Sequence, residues 1–248
     1  MNACFISDVG KVRKINEDSG GIYYNQSEQM LTVIADGMGG HKAGDIASEL
    51  TATHLKELWE QTNDFKSVDD VQDWLHKAVN TTNERVLEYA KDNQECFGMG
   101  TTVVATVFIE DSVIVAHVGD SRLYHITEDE AKQITVDHSF VQELVNNGEL
   151  TEEEAEAHPK KNVLLHAVGT ESSVRIDVST FQWRDEDYIL SCTDGLSNKL
   201  TDDTIHEILL TDQSLEDKVN SLVSLANENG GEDNISVIVV QRKAGEAS

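Results

Sequence analysis

The sequence is poor in the residues and segments that mark several common classes of protein. Its 248 residues include one proline and three cysteines, and no apolar run approaches the ~20 residues that a membrane-spanning helix needs. Cys4, Cys96 and Cys192 are odd in number and lack metal-type spacing, so they imply neither a disulfide framework nor a zinc site. We expect free, mostly buried thiols. The N-terminus lacks the apolar core of a signal peptide, so we expect a cytoplasmic protein.

Positive charge is scarce as well. The chain has 46 acidic and 19 basic residues and a formal net charge of −27, which argues against nucleic acid or an anionic membrane as a partner. The excess of carboxylates has two interpretations, a solvated acidic surface or a set of ligands for multivalent cations. The positions of the acids must separate them.

The pattern of apolar residues predicts strands in blocks rather than in strict alternation with helices. Three short strand-like segments precede any helix, and two long amphipathic helices over about 42–94 follow, which we expect to pack as a hairpin. Three more strands come next, with short turns at Asp111 and Asp120 that favour an antiparallel meander. Two further strands, two helical patterns and a last strand complete the chain.

This order favours an α/β (α+β) sandwich in which two central antiparallel sheets are covered by helices, rather than a doubly wound parallel sheet. A charge-rich segment over 137–169, which holds the one proline, Pro159, interrupts the pattern. We interpret it as an insertion and not as a domain boundary, because no repeat or low-complexity linker accompanies it. The sequence therefore predicts a single domain over 1–248.

Acidic residues recur at the ends of the predicted strands. They are Glu17, Asp18, Asp36, Asp120, Asp194 and Asp233, and two of them stand in Asp-Gly pairs after apolar runs. One such pair alone is more often a plain turn. A two-sheet sandwich, however, can bring several strand ends to one rim, where carboxylates suit Mg²⁺ or Mn²⁺. Two ions bridged by one carboxylate can generate hydroxide and clamp a phosphoryl group.

The glycines after Asp36 do not form a nucleotide-binding loop. The stretch DGMGGHKAGD lacks the Lys-Ser or Lys-Thr of a P-loop, and Lys42 stands where the last glycine of G-x-G-x-x-G belongs. Gly37 has another use in a cation site, since a residue without Cβ lets the backbone approach an ion closely.

Eight motifs occur in an order that resembles a known family. In chain order they are SDVGKVRKINEDS, VIADGMGGHKAGDIAS, GMGTTVVA, VAHVGDSRLY, DHSFVQELVNNGELT, LLHAVG, ILSCTDGLS and GGEDNISVIVV. Over about residues 3–241 the chain resembles the bacterial branch of the metal-dependent (PPM, type 2C) serine/threonine protein phosphatases. The resemblance implies an α-β-β-α sandwich with helices on both sides and a dinuclear Mn²⁺ or Mg²⁺ centre.

The resemblance also implies roles for the acids. Asp36 would bridge both ions, Gly37 would give its carbonyl oxygen to one, and Asp194 and Asp233 would hold the other. Asp120 would share a third, weakly held ion with Asp194, as in bacterial members of the family.

Three further residues take roles around this centre by the same resemblance. Glu17 and Asp18 stand where the family has acids, and we expect them to act indirectly, through metal-bound waters. Arg13 matches the arginine that holds the phosphate, a catalytic role that suits its guanidinium fork, whereas the sequence alone favours an exposed loop arginine. The GMGTT stretch, Gly98 to Thr102, is expected to pack behind the ions.

The histidines and the insertion carry weaker expectations. Some relatives have a histidine where this chain has Met38, so His41 in the same loop is our candidate for protonating the leaving oxygen or orienting the substrate. We assign the other eight histidines no role. Segment 137–169 corresponds to the flap of bacterial members, where Lys160 and Lys161 are the candidate phosphopeptide contacts. Lys161 replaces an arginine found in many relatives.

The resulting expectation is a serine/threonine protein phosphatase that hydrolyses phosphoserine and phosphothreonine by direct attack of the metal-bridging hydroxide, without a phosphoenzyme. Family context implies a bacterial serine/threonine kinase and its substrates as partners, and a monomer. One alternative is a catalytically inactive binding module of the same fold, which the intact Asp36, Asp194 and Asp233 disfavour. A second is a cation buffer, for which a regular calcium-binding loop is missing.

Overall fold

The computed structural model describes residues 1–39 and 43–243. Within them the chain forms eleven β-strands, seven α-helices and a 3-10 turn at Gln94–Cys96. The strands are β1 (Asn2–Asp8), β2 (Asp18–Tyr24), β3 (Met30–Met38), β4 (Gly100–Thr101), β5 (Val103–Ile109), β6 (Ser112–Val118), β7 (Arg122–Ile126), β8 (Ala131–Gln133), β9 (Asp177–Gln182), β10 (Tyr188–Cys192) and β11 (Ile235–Gln241). The helices are α1 (Ala43–Glu60), α2 (Val68–Asp92), α3 (Phe140–Asn146), α4 (Glu152–Glu156), α5 (Asp194–Ser197), α6 (Asp202–Leu209) and α7 (Leu215–Glu228).

The strands form two antiparallel sheets. One has the order β1-β11-β10-β7-β8, and the other has the order β2-β3-β5-β6-β9, with the short β4 paired to the end of β3. A core that includes Ile34, Phe108, Leu123 and Ile238 lies between the two sheets. These two antiparallel sheets confirm the predicted sandwich.

Helices cover the outer face of each sheet. On one side α1 and α2 pack on the sheet that contains β3, over a core that includes Leu55 and Val107. On the other side α6 and α7 close a second core against β10 and β11. Strands β5 and β6 are apolar along most of their length because both of their faces are buried.

The expected meander of β5, β6 and β7 is wrong. Strands β5 and β6 do form a hairpin, but β7 pairs with β8 and β10 in the opposite sheet, and β9 takes the place beside β6. The turn between β6 and β7 contains Gly119 at φ +102°, and it redirects the chain across the sandwich. Continuous burial on both faces leaves no alternation in the sequence that would reveal which sheet a strand joins.

The predicted helical hairpin is confirmed as α1 and α2, which pack against each other. Helix α2 begins at Ser67, whose side chain accepts a hydrogen bond from the backbone N–H of Asp70. In the connection, Trp59 and Phe65 stack with ring centroids 5.6 Å apart, and Trp74 packs edge-on against both rings. None of the helices in the described part of the chain is long and apolar enough to cross a membrane.

The segment over 137–169 has more regular structure than the sequence indicated. It contains α3 and α4, which begin at the capping side chains of Ser139 and Thr151. Its two ends meet in a short antiparallel bridge between Ser139 and Leu164, next to a hydrogen bond from the Leu165 N–H to the His138 carbonyl. The segment therefore leaves and re-enters the sandwich at one place.

Candidate metal centre

Carboxylates from both sheets meet at one rim of the sandwich. Asp18 in β2 is paired in register with Asp36 in β3. From the opposite sheet, Asp194 opens α5 directly after β10, and Asp233 stands just before β11. Burial and, after it, the charges of the neighbouring carboxylates raise the pKa of Asp36, so these side chains lie within electrostatic reach of one another.

The backbone of Asp36 is fixed by hydroxyl groups behind it. The Asp36 N–H donates to Thr102 Oγ1 at 2.9 Å, and the Asp36 carbonyl accepts from Thr101 Oγ1 at 2.8 Å and from the Thr102 N–H at 2.9 Å. Thr102 Oγ1 also lies 2.7 Å from Ser121 Oγ, beside Asp120. The GMGTT stretch thus packs behind the acids, as the sequence predicted.

Gly37 is required by packing at this position. A Cβ on Gly37 would lie 2.0 Å from the carbonyl oxygen of Gly44, at the start of α1, and 2.5 Å from that of Glu17. The Gly37 N–H donates to the same Glu17 carbonyl at 3.0 Å. No side chain fits in this gap, so the helix, the Glu17 segment and the end of β3 can approach closely only around a glycine.

Asp18 carries an unsatisfied oxygen. Its side chain is buried, and Oδ2 accepts a hydrogen bond from Thr193 Oγ1 at 2.9 Å, whereas Oδ1 has no hydrogen-bond partner. Burial raises the pKa of Asp18 to about 7, and the charges of Asp194 and Asp233 add to that effect. A buried carboxylate oxygen without a donor is costly, which indicates that another positive group belongs beside it.

The remaining acids show the same electrostatic stress. Burial and the charges of Asp18 and Asp194 raise the pKa of Asp36 well above its ordinary value. Burial and the charge of Asp233 raise the pKa of Asp194, whose Oδ2 accepts a hydrogen bond from Asn198 Nδ2 at 3.0 Å. Burial and the charge of Asp194 raise the pKa of Asp120 to about 7. Burial and the charges of neighbouring acids together disfavour the ionised form of each of these carboxylates.

Among residues 1–39 and 43–243, Arg13 is the cation that forms ion pairs with this group. Its Nη2 donates to Asp233 Oδ2 at 2.7 Å, and its Nη1 lies 3.6 Å from Glu17 Oε2. The side chain of Arg13 remains 45% exposed. Burial lowers its pKa, but the charge of Asp233 outweighs that effect and leaves the pKa raised. One guanidinium cannot neutralise the whole cluster, so the all-oxygen donor set fits hard divalent cations.

A cleft of about 580 Å³ extends from the acids toward the 137–169 segment. Asp120 and Asp194 line one end of it, and Lys161 lines the side formed by the segment. The Nζ of Lys160 instead lies 5.3 Å from the centre of the Phe140 ring. Of the two candidate lysines, Lys161 is thus the one that faces the cleft. His41 lies outside the described residues.

The structure also joins residues that the sequence did not connect. His117 in β6, His138 before α3 and Asp177 at the start of β9 form one cluster, in which the nitrogen and oxygen atoms suited to a metal lie within 4.8 Å of one another. The sequence signal for the cluster was weak, because its members share no fixed spacing and only strand pairing places Asp177 opposite His117.

His54, His76 and His206 lie on helices, as predicted.

Fold and site together define a sandwich of two antiparallel sheets with a cluster of buried acidic side chains at one rim, a donor set that fits divalent cations. The family model described as "Protein phosphatase 2C" matches residues 11–236, and the chain belongs to that family. Serine/threonine phosphatase stp of Listeria innocua is 40% identical over 242 residues, covering 98% of this chain and 96% of that protein. Protein phosphatase PhpP of Streptococcus pneumoniae is 39% identical over 240 residues, covering 97% of each.

A solved structure agrees with these sequence relatives. The crystal structure of serine/threonine phosphatase Stp1 from Staphylococcus aureus superposes with a TM-score of 0.94 at 40% identity, covering 98% of this chain and 95% of that one. The predicted family and the predicted enzyme class, a phosphoprotein phosphatase and hence a hydrolase, are confirmed. Nothing in these comparisons favours the inactive binding module.

Proposed function

We propose that this chain removes phosphate from phosphoserine and phosphothreonine in proteins, and that Asp36, Gly37, Asp194 and Asp233 hold two Mn²⁺ or Mg²⁺ ions for the reaction. The observation that carries the proposal is the set of facing carboxylates from two sheets, whose repulsion is left uncompensated by Arg13. The free Oδ1 of Asp18 supports it. The phosphatase names of the relatives supply the substrate class.

When bound, the divalent cations supply a water acidic enough to attack phosphorus at neutral pH and offset the phosphoryl charge. The protein's part is to arrange its ligands in advance. The Thr101 and Thr102 bonds fix the backbone of Asp36, and Asn198 fixes the side chain of Asp194. Glu17 and Asp18 lie beside these ligands and act through intervening waters in the proposal.

Arg13 is suited to hold the substrate phosphate. Its pairing with Asp233 directs the guanidinium toward the acids, and its partial exposure leaves donor groups free for two phosphoryl oxygens. Contact with Glu17 on the other side limits its rotation. We assign His41 the protonation of the leaving oxygen or the orientation of substrate, on its place in the sequence alone.

Asp120 belongs to the same proposal. Its carboxyl group is close enough to Asp194 for the charge of Asp194 to be a principal cause of its raised pKa, after burial. Asp120 and Asp194 would together hold a third, weakly bound ion. A cytoplasmic monomer with one domain over 1–248, acting on a bacterial serine/threonine kinase and its substrates, completes the proposal.

The experiment is phosphate release from a phosphothreonine peptide with Mn²⁺ and with chelator. We expect turnover with Mn²⁺ and loss of turnover with chelator, restored when Mn²⁺ is added back. Asp194→Asn should remove turnover, and Asp203→Asn should not, because Asp203 is an exposed acid on α6 that undergoes the same chemical change. Equal activity with and without chelator would contradict the proposed metal dependence.

A further inference from the structure

His138 touches Gly119, the residue before Asp120, at two points. The His138 N–H donates to the Gly119 carbonyl at 2.9 Å, and the Gly119 N–H donates to His138 Nδ1 at 3.2 Å. Gly119 has φ +102°, and a Cβ there would lie 2.6 Å from Thr102 Cγ2. His138 therefore bonds both the N–H and the carbonyl of Gly119. A residue with a Cβ does not fit at position 119.

The bond from Gly119 determines where the ring proton of His138 lies. Because Nδ1 accepts a hydrogen bond, the neutral ring carries its proton on Nε2. Nε2 is buried and lies 3.3 Å from Asp177 Oδ2, outside the geometry of a directed hydrogen bond. The Asp177 carboxylate, itself held by Arg175 at 2.8 and 2.9 Å, still favours an N–H on that side of the ring.

The other partners of the ring come from strands and from the 137–169 segment. The His117 ring stacks on His138 with centroids 4.6 Å apart, and its Nε2 lies 3.0 Å from the Val136 carbonyl oxygen. The His166 ring packs edge-on at 5.7 Å. His138 is 4% exposed, so its orientation is fixed by packing as well as by polar contacts.

By residue type alone, His117, His138 and Asp177 suit a transition metal. The hydrogen bonds argue against that use. A metal on Nε2 of His138 requires a lone pair there, but the Gly119 N–H already occupies the lone pair of Nδ1 and leaves the proton on Nε2. Asp177 is also paired with Arg175. The cluster is thus a hydrogen-bonded support and not a second metal centre.

We propose that His138 is a positioning residue that holds the Gly119–Asp120 turn so that the Asp120 carboxylate faces Asp194, with Asp177 fixing the tautomer of the His138 ring. The inference rests on the role given to Asp120 under the proposed function. Residues that orient metal ligands from behind typically contribute about 10- to 100-fold to metal affinity or activity. We expect an effect of this size on the Mn²⁺ concentration needed for full activity.

Two variants separate the proposed bond from simple packing. In His138→Asn, the side-chain oxygen can take the place of Nδ1 and accept from Gly119. In His138→Gln, the amide extends toward Asp177 and the acceptor near Gly119 is lost. We expect His138→Gln to raise the required Mn²⁺ concentration about 10-fold or more, and His138→Asn to stay near wild type. His54→Gln, a buried histidine paired with Thr82 on α2, is the control for losing an imidazole.

The Mn²⁺ requirement of Asp120→Ala, measured in parallel, distinguishes an error in the positioning role of His138 from an error in the role of Asp120. If Asp120→Ala raises the Mn²⁺ requirement and His138→Gln does not, the positioning role is wrong while the role of Asp120 stands. If neither variant changes the requirement, both the role of Asp120 and the positioning inference are wrong.

A measurement on the unmodified protein covers the case in which a variant does not fold. Nitrogen-15 NMR of the full chain should show Nδ1 of His138 without a proton and Nε2 with one, both in chelator and in diamagnetic Mg²⁺. A proton on Nδ1 would overturn the proposal, because that nitrogen could not then accept the Gly119 bond.

Discussion

Two polar clusters lie in this sandwich, and they differ in how their charges are balanced. The carboxylate cluster around Asp36 contains mutually repelling acids, one partly exposed arginine and an unpaired buried oxygen on Asp18. The histidine cluster around His138 contains neutral rings, and its one carboxylate, Asp177, is paired with Arg175. Within the part of the chain that the structure describes, the carboxylate cluster has too little positive charge to balance its acids, whereas the one carboxylate of the histidine cluster is balanced by Arg175.

Charge balance indicates which of the two clusters needs a ligand. Burying carboxylates near each other without partners is costly, and proteins relieve that cost with protons, cations or metal ions. A cluster of neutral rings, whose one carboxylate is already paired with an arginine, gains little from an added ion. Residue type alone points the other way, since histidine and aspartate together are typical transition-metal ligands. Charge balance and tautomer, rather than composition, separate the two sites.

The largest expected effect comes from removing one charge from the carboxylate cluster. Asp36→Asn keeps the shape of the side chain but takes away the negative charge that we propose bridges two ions. We expect kcat in Mn²⁺ to fall by at least about 100-fold, since cation-assisted attack supplies several kcal/mol of the barrier reduction. Phosphopeptide kinetics at saturating Mn²⁺ measure this.

Its matched control is Asp203→Asn, on an exposed position of α6. The control should keep wild-type kinetics, and thermal unfolding in chelator should show that Asp36→Asn is at least as stable as wild type, because it relieves repulsion. Near-normal turnover of Asp36→Asn would mean that the cluster is not the centre of the reaction.

A smaller effect is expected from Arg13→Ala. The proposed contact of Arg13 is to phosphoryl oxygens, so KM for the phosphopeptide should rise about tenfold, the size of one charge-assisted hydrogen bond, with a lesser loss of kcat. Arg85→Ala is the control, because Arg85 is also 45% exposed and pairs with one acid, Glu57. If calorimetry instead shows Mn²⁺ affinity collapsing while KM holds, Arg13 supports the ligands and does not bind phosphate.

Sequence patterns predicted the carboxylate cluster and missed the histidine cluster for physical reasons. Asp36 and Asp194 each follow an apolar run and precede glycine. Both of these local patterns lie in motifs that carry the resemblance to the phosphatase family. His117, His138 and Asp177 come together only through the β6–β9 pairing and the return of the chain before α3. The same non-local pairing defeated the prediction of a β5–β6–β7 meander.

The architecture of two antiparallel sheets was predictable, but the contacts that fix the acids were not. Gly37 was expected to admit an ion, whereas the structure shows that α1 and the Glu17 backbone also require it. The Thr193 hydroxyl that holds Asp18 stands next to Asp194 in the chain, yet no sequence pattern links it to β2. Such contacts depend on how two sheets face each other, which local sequence does not encode.

The histidine cluster has its own expected pH dependence. Burial and the neighbouring His117 lower the pKa of His138 to about 4, below its value of 6.5 in an unfolded chain. The unfolded chain therefore binds a proton first as pH falls, so the contribution of His138 to stability is present above pH 6.5 and is lost toward pH 4.

The free energy of unfolding of wild type minus that of His138→Asn, measured from pH 4 to pH 8, isolates this contribution. The carboxylate background is common to both proteins and cancels in the difference. The charged groups facing the ring, Asp177 and Arg175, remain in both proteins as well. We expect the difference to decrease below pH 6.5. A difference that is independent of pH would mean that the buried ring is not held neutral.

The smallest effect is expected at the edge of the cleft. Lys161 lines the cleft but is not paired with the acids. Lys161→Ala should therefore raise KM for an acidic phosphopeptide by about two- to threefold, the range of an exposed ion pair. The control is Lys77→Ala on the exposed face of α2. High salt should abolish the difference from wild type. A change in kcat at saturating peptide would place Lys161 closer to the reaction than the comparison of clusters allows.

The most direct test of these assignments is anomalous diffraction at the manganese edge from a crystal of the full chain soaked in Mn²⁺. We expect peaks among Asp36, Asp194 and Asp233, a weaker peak between Asp120 and Asp194, and none among His117, His138 and Asp177. Absence of density at the carboxylates, or a peak between the two histidines and Asp177, would contradict the assignment of ligand and support roles to the two clusters.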